Sequence, residues 1–173
     1  MRESLFTTNR LIFRKWKDSD LSMIQKVYGD SEAMRWVGDG NTLSYEESKA
    51  WMKVTHKNYM SRGYGMFAVG LKNTLEVVGF CGIVHPNDQV DPEIKYAFSR
   101  EYWGQGIATE AVVGLIDYAT IASGIDKFIA TIAPENIASE RVLLKAGMLP
   151  GGICYDDEGI PTKCFYLNTQ PSV

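Results

Sequence analysis

A chain of 173 residues, 45% hydrophobic and 23% charged, is long enough to bury the core of one domain without a metal or disulfide staple. A net charge of −3, with no cluster of Lys and Arg beyond the strand-like stretch from Arg10 to Lys17, argues against a nucleic-acid surface. No apolar run approaches the roughly 20 residues of a membrane helix, and Met1-Arg2-Glu3-Ser4 lacks a signal peptide's apolar segment, so a cytoplasmic protein with no membrane partner is expected.

In chain order, Arg10-Leu11-Ile12-Phe13-Arg14 reads as a strand, and Asp18-Ser19-Asp20 supplies N-cap residues for a helix carrying Leu21, Met23, Ile24 and Val27. The loop Trp36-Val37-Gly38-Asp39-Gly40-Asn41 follows. Ser44-Tyr45-Glu46-Glu47 then fits a capping box, opening a second helix that runs to about Met60 and stops at Gly63. Residues 66–69 and 76–84 are strands of an antiparallel hairpin turning at Lys72-Asn73-Thr74. Residues 93–98 add a strand, a helix carrying Ala108 to Ala119 starts at or just after Gly106, 127–133 is a strand, Asn136 onward a helix, and 162–167 a last strand after the polar turn Tyr155 to Gly159. The order β-α-α-β-β-β-α-β-α-β predicts one mixed α+β domain over residues 1–173.

Cys81, Cys154 and Cys164 have no C-x-x-C spacing, and with only His56 and His85 no metal site is expected. Cys154 and Cys164 face each other if a hairpin turns around Gly159, yet a reducing compartment predicts free thiols. Cys81 lies in an apolar strand, which favours a buried structural thiol over a nucleophile served by His85.

The most informative stretch is Tyr102-Trp103-Gly104-Gln105-Gly106-Ile107-Ala108-Thr109-Glu110-Ala111, which joins the strand at 93–98 to a helix. Glycines there permit positive φ and close approach of a ligand, and the opening turn leaves amides without intrahelical partners at the positive end of the helix dipole. That is a candidate anion site for a phosphate, its alternative reading being a tight turn before a helix. No Lys-Ser or Lys-Thr follows the glycines, which excludes a P-loop, and no run of βαβ units surrounds them, which disfavours a dinucleotide fold.

Downstream, the strand Lys127-Phe128-Ile129-Ala130-Thr131-Ile132-Ala133 leads into Asn136-Ile137-Ala138-Ser139 and ends on Lys145-Ala146-Gly147-Met148. As an ordered set, residues 93–148 resemble the GNAT superfamily of acyl-CoA-dependent N-acyltransferases, most of all the branch of ribosomal-protein N-terminal acetyltransferases (RimJ/RimL-like). That branch runs from a Glu-bearing strand through Tyr-Trp-Gly-x-Gly-x-Ala-Thr-Glu-Ala to Asn-x-x-Ser and Lys-x-Gly-Phe. The resemblance implies a mostly antiparallel central sheet flanked by helices, and transfer of an acetyl group from acetyl-CoA, with no metal, to a primary amine. The acceptor would be a protein N-terminus or a small amine such as a polyamine or aminoglycoside. A homodimer would also be in keeping with such relatives.

Carried onto this chain, the resemblance assigns the CoA pyrophosphate to Gly104, Gln105, Gly106, Ile107, Ala108 and Thr109, and the pantetheine arm to Ala97, Phe98, Ser99 and Asn136. Trp103 stands where the wider family has Gln or Arg. A splay between residues 93–98 and 127–133 would admit the thioester, with a backbone N–H stabilising the oxyanion. Glu93 matches the family's base, and its alternative reading is a strand-edge charge. Many members place a thiolate-protonating tyrosine where this chain has Leu143, so Ser139 takes that role unless its hydroxyl serves only local helix-start bonding. Lys145 would meet a phosphate or offset the helix dipole. The competing functional class is a catalytically silent CoA-binding sensor.

Overall fold

Strands 93–98 and 127–132 lie side by side at the middle of one eight-stranded sheet, in the order β1-β2-β3-β4-β5-β6-β8-β7. A computed structural model describes residues 4–37 and 39–170. Met1, Arg2, Glu3 and the loop residue Gly38, all used in the sequence reading, fall outside them. The strands are β1 (Phe6–Thr7), β2 (Leu11–Arg14), β3 (Met66–Leu71), β4 (Val77–Val84), β5 (Glu93–Phe98), β6 (Lys127–Ile132), β7 (Leu149–Tyr155) and β8 (Pro161–Asn168). The helices are α1 (Leu21–Tyr28), α2 (Ser31–Met34), α3 (Tyr45–Arg62), α4 (Ile107–Ser123) and α5 (Ile137–Lys145). The sheet is antiparallel except where β5 meets β6, which are parallel and joined by the α4 crossover.

Two apolar layers clothe the sheet because its strands alternate their side chains. On one face Ile94, Phe98, Phe128, Ala130 and Phe165 pack with Ile107, Ala111, Leu115 and Ala119 of α4 and Leu143 of α5. On the other, Ala68, Phe80 and Ala97 pack with Ile24, Val27 and Tyr28 of α1, Met34 of α2 and Met52 of α3. Tyr28 stacks on Phe80, and Trp51 meets both. Complete burial of a side chain such as Leu115 contributes about 1.5–3 kcal/mol, and one helix face after another does this along α4.

The capping box at Ser44 forms as its spacing predicts: the Ser44 hydroxyl accepts from the Glu47 amide and the Glu47 carboxylate from the Ser44 amide. Asp20 behaves differently from the expected cap. Residues Asp18–Asp20 form a 3-10 turn, and the Asp20 carboxylate accepts from Arg14 and the Lys17 amide. A guanidinium in reach outcompetes the helix amides.

Three elements were absent from the sequence reading. β1 is a two-residue edge whose Phe6 stacks on Phe13 and Tyr118. α2 is a single turn capped by Asp30. β7 carries Pro150-Gly151-Gly152, residues that break strands; it tolerates them as an edge strand with a bulge between Pro150 and Ile153. Gly151 is required there, since a Cβ at that position would fall 1.9 Å from the Tyr166 ring.

The β7-β8 hairpin also corrects the expectation of free thiols. Cys154 and Cys164 form a disulfide across it, with Cα atoms 6.1 Å apart, while Cys81 is free and buried. The compartment argument addressed solution redox; the hairpin brings the two Cα atoms within the range a disulfide spans. No helix among the described residues is long and apolar enough to cross a membrane.

Candidate active site

β5 carries the candidate chemistry at both ends. At its C-terminal end Arg100–Tyr102 form a 3-10 turn, Gly104 and Gly106 take φ of +70° and +75°, and Gly106 is the N-cap of α4. The first amide of that helix known to close a turn is Glu110, donating to the Gly106 carbonyl. The amides of Ile107, Ala108 and Thr109 are therefore the orphan donors of a helix start. Gln105 ties its side chain to the Glu101 carbonyl.

A side-chain brace missed by sequence reasoning holds this turn. Arg10 donates to the Gln105 carbonyl at 2.8 Å and to Glu110 at 2.6 Å, and Glu110 also accepts from the Thr8 hydroxyl and the Arg10 amide. Partial burial raises the Glu110 pKa, but the bonds from Thr8 and Arg10 outweigh it and hold the carboxyl below its ordinary value. A Cβ on Gly106 would lie 3.4 Å from the Arg10 guanidinium, so that cation stands at the turn with the orphan amides. Only the position of Arg10 just before β2, some hundred residues upstream of Glu110, concealed it.

The main-chain groups along β5 sort themselves by ladder alternation. The Ser99 amide donates to Val78 of β4 and the Ser99 carbonyl accepts from Tyr102, so both main-chain groups of this expected pantetheine contact already have partners. Ala97, two residues back, turns its main chain to β4 as well. The groups of Tyr96 and Phe98 point toward β6, with the Phe98 carbonyl accepting the Trp103 indole N–H at 2.8 Å. On that side pairing fails early: β4 and β5 pair from Gly79↔Phe98 to Val84↔Glu93, whereas β5 and β6 pair only at Glu93↔Ile129. Beyond Glu93 the strands part, opening the slot that the sequence reading required.

Glu93 stands at the closed end of that slot, 4% exposed. Its carboxylate accepts from the Thr131 hydroxyl at 2.6 Å and from the Gln89 amide group at 3.4 Å, and lies 3.2 Å from the Lys95 ammonium. A carboxylate so enclosed is not a strand-edge charge. Glu93 and Lys95 belong to the face carrying Ala97, toward α1 to α3.

Tyr96 points to the opposite face and packs against the α4 and α5 layer. Its hydroxyl reaches the Ser139 carbonyl at 3.4 Å, long for an O–H···O bond, which leaves it able to turn to another acceptor. Burial pushes the phenol pKa up, and the bond at Ser139 offsets this only in part. Ser139 is positioned by the N-cap, since the Asn136 side-chain oxygen accepts its amide at 3.1 Å. Leu143 is wholly buried in the core, so the position where many relatives of the resembling family carry a tyrosine is here a packing position. Tyr96 supplies a phenol near the same helix from the neighbouring strand; its place at the centre of a motif strand was the available signal.

Other candidates resolve into structure. Burial pushes the Cys81 thiol pKa far up, and His85 bonds to the Tyr64 hydroxyl and the Gln89 carbonyl. Trp51 is half-buried and packs against the core, while Trp36 and Tyr155 are exposed. Asp156 folds its own turn by accepting from the amides of Glu158 and Ile160, and Asp39 does the same for Asn41. A groove of about 690 Å³ abuts the glycine turn on its outer side, lined by Phe6, Thr8, Gly106, Thr109 and Lys145 among others. Neither Glu93 nor Ser139 lines it.

Comparison with known proteins agrees with this geometry. Residues 10–149 match the family described as acetyltransferase (GNAT) domain. The uncharacterised N-acetyltransferase YoaA of Bacillus subtilis is 27% identical over 169 residues, covering 96% of this chain and 91% of its own. A GNAT-family acetyltransferase structure from Bacillus anthracis superposes with a TM-score of 0.80 at 24% identity, over 95% of this chain and 98% of its own. RimL, a ribosomal L7/L12 alpha-N-protein acetyltransferase solved with coenzyme A, gives a TM-score of 0.79 at 18% identity, over 96% and 99%. With a glycine turn, a splayed β5 and a domain match over most of its length, the chain belongs to the GNAT family and is an acetyl-CoA-dependent N-acetyltransferase.

Proposed function

We propose that the enzyme acetylates a primary amine by direct attack in the β5-β6 slot, with Glu93 as base. The observation that carries this reading is the enclosure of Glu93 at the one β5-β6 bridge, where the slot begins. The amides of residues 104–109 and the Arg10 guanidinium would hold the CoA pyrophosphate, and Lys145, lining the outer groove with Thr109, would meet a further phosphate. The amides of Tyr96 and Phe98, and the Asn136 side chain, would hold the pantetheine arm as an added strand.

The two faces of β5 divide the proton work. An amine acceptor is mostly protonated at neutral pH, and Glu93 would remove its proton from the α1 to α3 side. Tyr96 and Ser139 lie on the other side, where a hydroxyl would donate to the departing sulfur. Thr131 and Gln89 orient the Glu93 carboxylate for this task.

A protein N-terminus is the favoured acceptor, ahead of a small amine. Support comes from the RimL-like neighbour, which acts on a ribosomal-protein N-terminus, and from the sequence motif of residues 93–148. The test is release of free CoA thiol with a panel of N-terminal peptides, polyamines and aminoglycosides. Turnover with a peptide is expected. Acetyl-CoA binding with no release above blank hydrolysis across the panel would favour a silent sensor instead.

A further inference from the structure

Several ion pairs among the described residues join exposed partners: Lys49 and Glu46 are 49% and 77% exposed in their side chains, and Lys26 and Glu101 42% and 55%. Such pairs contribute little. Lys95 and Glu93 differ, because the carboxylate side chain is only 5% exposed while the lysine side chain is 41% exposed. The lysine bends inward to the carboxylate, which already accepts from Thr131.

Three placements converge on the Lys95 nitrogen. It lies 3.2 Å from the Glu93 oxygen, where an acceptor amine must sit to surrender its proton. Lys95 is two residues past the only β5-β6 bridge, beside the slot as it opens. Its cross-strand neighbour is Gly82, which presents no side chain to confine the lysine stem. A Cβ at Gly82 would fall 2.2 Å from the Gly65 carbonyl, so that position stays bare.

We propose that Lys95 is an acceptor in its own right, acetylated in cis by the enzyme that carries it. The proposal rests on the reading of Glu93 as base and of the slot as the thioester site. The Lys95 ammonium gives a proton to Glu93, and the freed nitrogen attacks the acetyl-CoA carbonyl carbon. The new C–N bond forms as the C–S bond breaks, and the sulfur leaves as CoA thiol once protonated. The balance is one lysine ammonium and one acetyl-CoA to one Nζ-acetyl-lysine, one CoA and one proton, with no other reactant. Acetylation removes the lysine charge and releases Glu93 from its ion pair, leaving the base free for an outside amine.

The experiment is incubation of the full chain with acetyl-CoA and no acceptor, followed by intact-mass analysis and peptide mapping, with acetyl-CoA binding and acetylation of an external amine measured on the same preparation. One acetyl group at Lys95 is expected, appearing at a first-order rate that does not change when the protein is diluted. Glu93→Gln should slow it by about 100-fold, and Lys95→Arg should abolish it with acetyl-CoA affinity intact. An unmodified Lys95 in protein that binds acetyl-CoA and acetylates an external amine would overturn the proposal alone. Equal labelling of Lys95 and exposed lysines such as Lys49, unaffected by Glu93→Gln, would overturn it as spontaneous acetylation. Failure to bind acetyl-CoA would overturn both this proposal and the reading of the slot.

Discussion

The two ends of β5 are built from different materials. At the C-terminal end the groups proposed to face a ligand are main-chain amides at a helix start, fixed by glycines of positive φ and by the Arg10-Glu110-Thr8 brace. At the N-terminal end they are ionisable side chains: Glu93, held by Thr131 and Gln89, and Lys95, paired with Glu93. Amides bind phosphate without changing protonation, so the first end suits holding a substrate; a buried carboxylate beside a cation suits moving a proton. Substitutions at one end should therefore alter affinity, and at the other turnover.

The largest effect is expected from Glu93→Gln, which should lower kcat at pH 7 by about 100-fold and leave acetyl-CoA affinity unchanged. The deficit should shrink at pH 9, where more of the acceptor is free amine; an equal loss at both pH values would argue that Glu93 only shapes the site. Gly106→Val places a β-branched residue at φ +75° against Arg10. Strain of about 1–3 kcal/mol at the turn should weaken acetyl-CoA binding by about 10-fold or more in titration calorimetry, and circular dichroism should report a retained fold.

Tyr96→Phe should reduce kcat by about 10-fold with little change in acetyl-CoA affinity. Steady-state kinetics that show no loss would leave the departing sulfur to Ser139. The smallest effect concerns the brace. Because the folded Glu110 pKa is depressed, its stabilisation is fully present above the ordinary glutamate value of 4.5 and is lost as pH falls through the lower folded value. Thermal melts should show Glu110→Gln less stable than the wild type at pH 7, with the gap closing in acid. A gap independent of pH would remove the carboxylate from that account.

Local signals explain why the C-terminal end of β5 was legible in the sequence. Glycine spacing and the period of Ala111, Val112, Leu115, Ile116 and Ala119 act within a few residues, and α4 begins where they place it, at Ile107. The capping box at Ser44 and the hairpin at Lys72-Asn73-Thr74 were legible for the same reason. The missed features depend on distant partners. Arg10 meets Glu110 across the fold, Tyr96 reaches Ser139 from another element, and the Glu93 carboxylate accepts from Thr131 of β6. β7 was hidden because its Pro-Gly-Gly composition answers to the Tyr166 ring on β8 and to its edge position, neither of which a local pattern records. Ser99 shows the converse: its expected ligand-facing amide is engaged by Val78, a matter of ladder phase alone.

The most direct test of the division along β5 is isothermal titration of acetyl-CoA into the wild type, Glu93→Gln and Gly106→Val, with ATP as the control ligand. Equal affinity for the first two, weakened binding for the third and none for ATP is the predicted result. Lost affinity in Glu93→Gln with unchanged affinity in Gly106→Val would contradict the assignment of substrate holding to one end and proton transfer to the other.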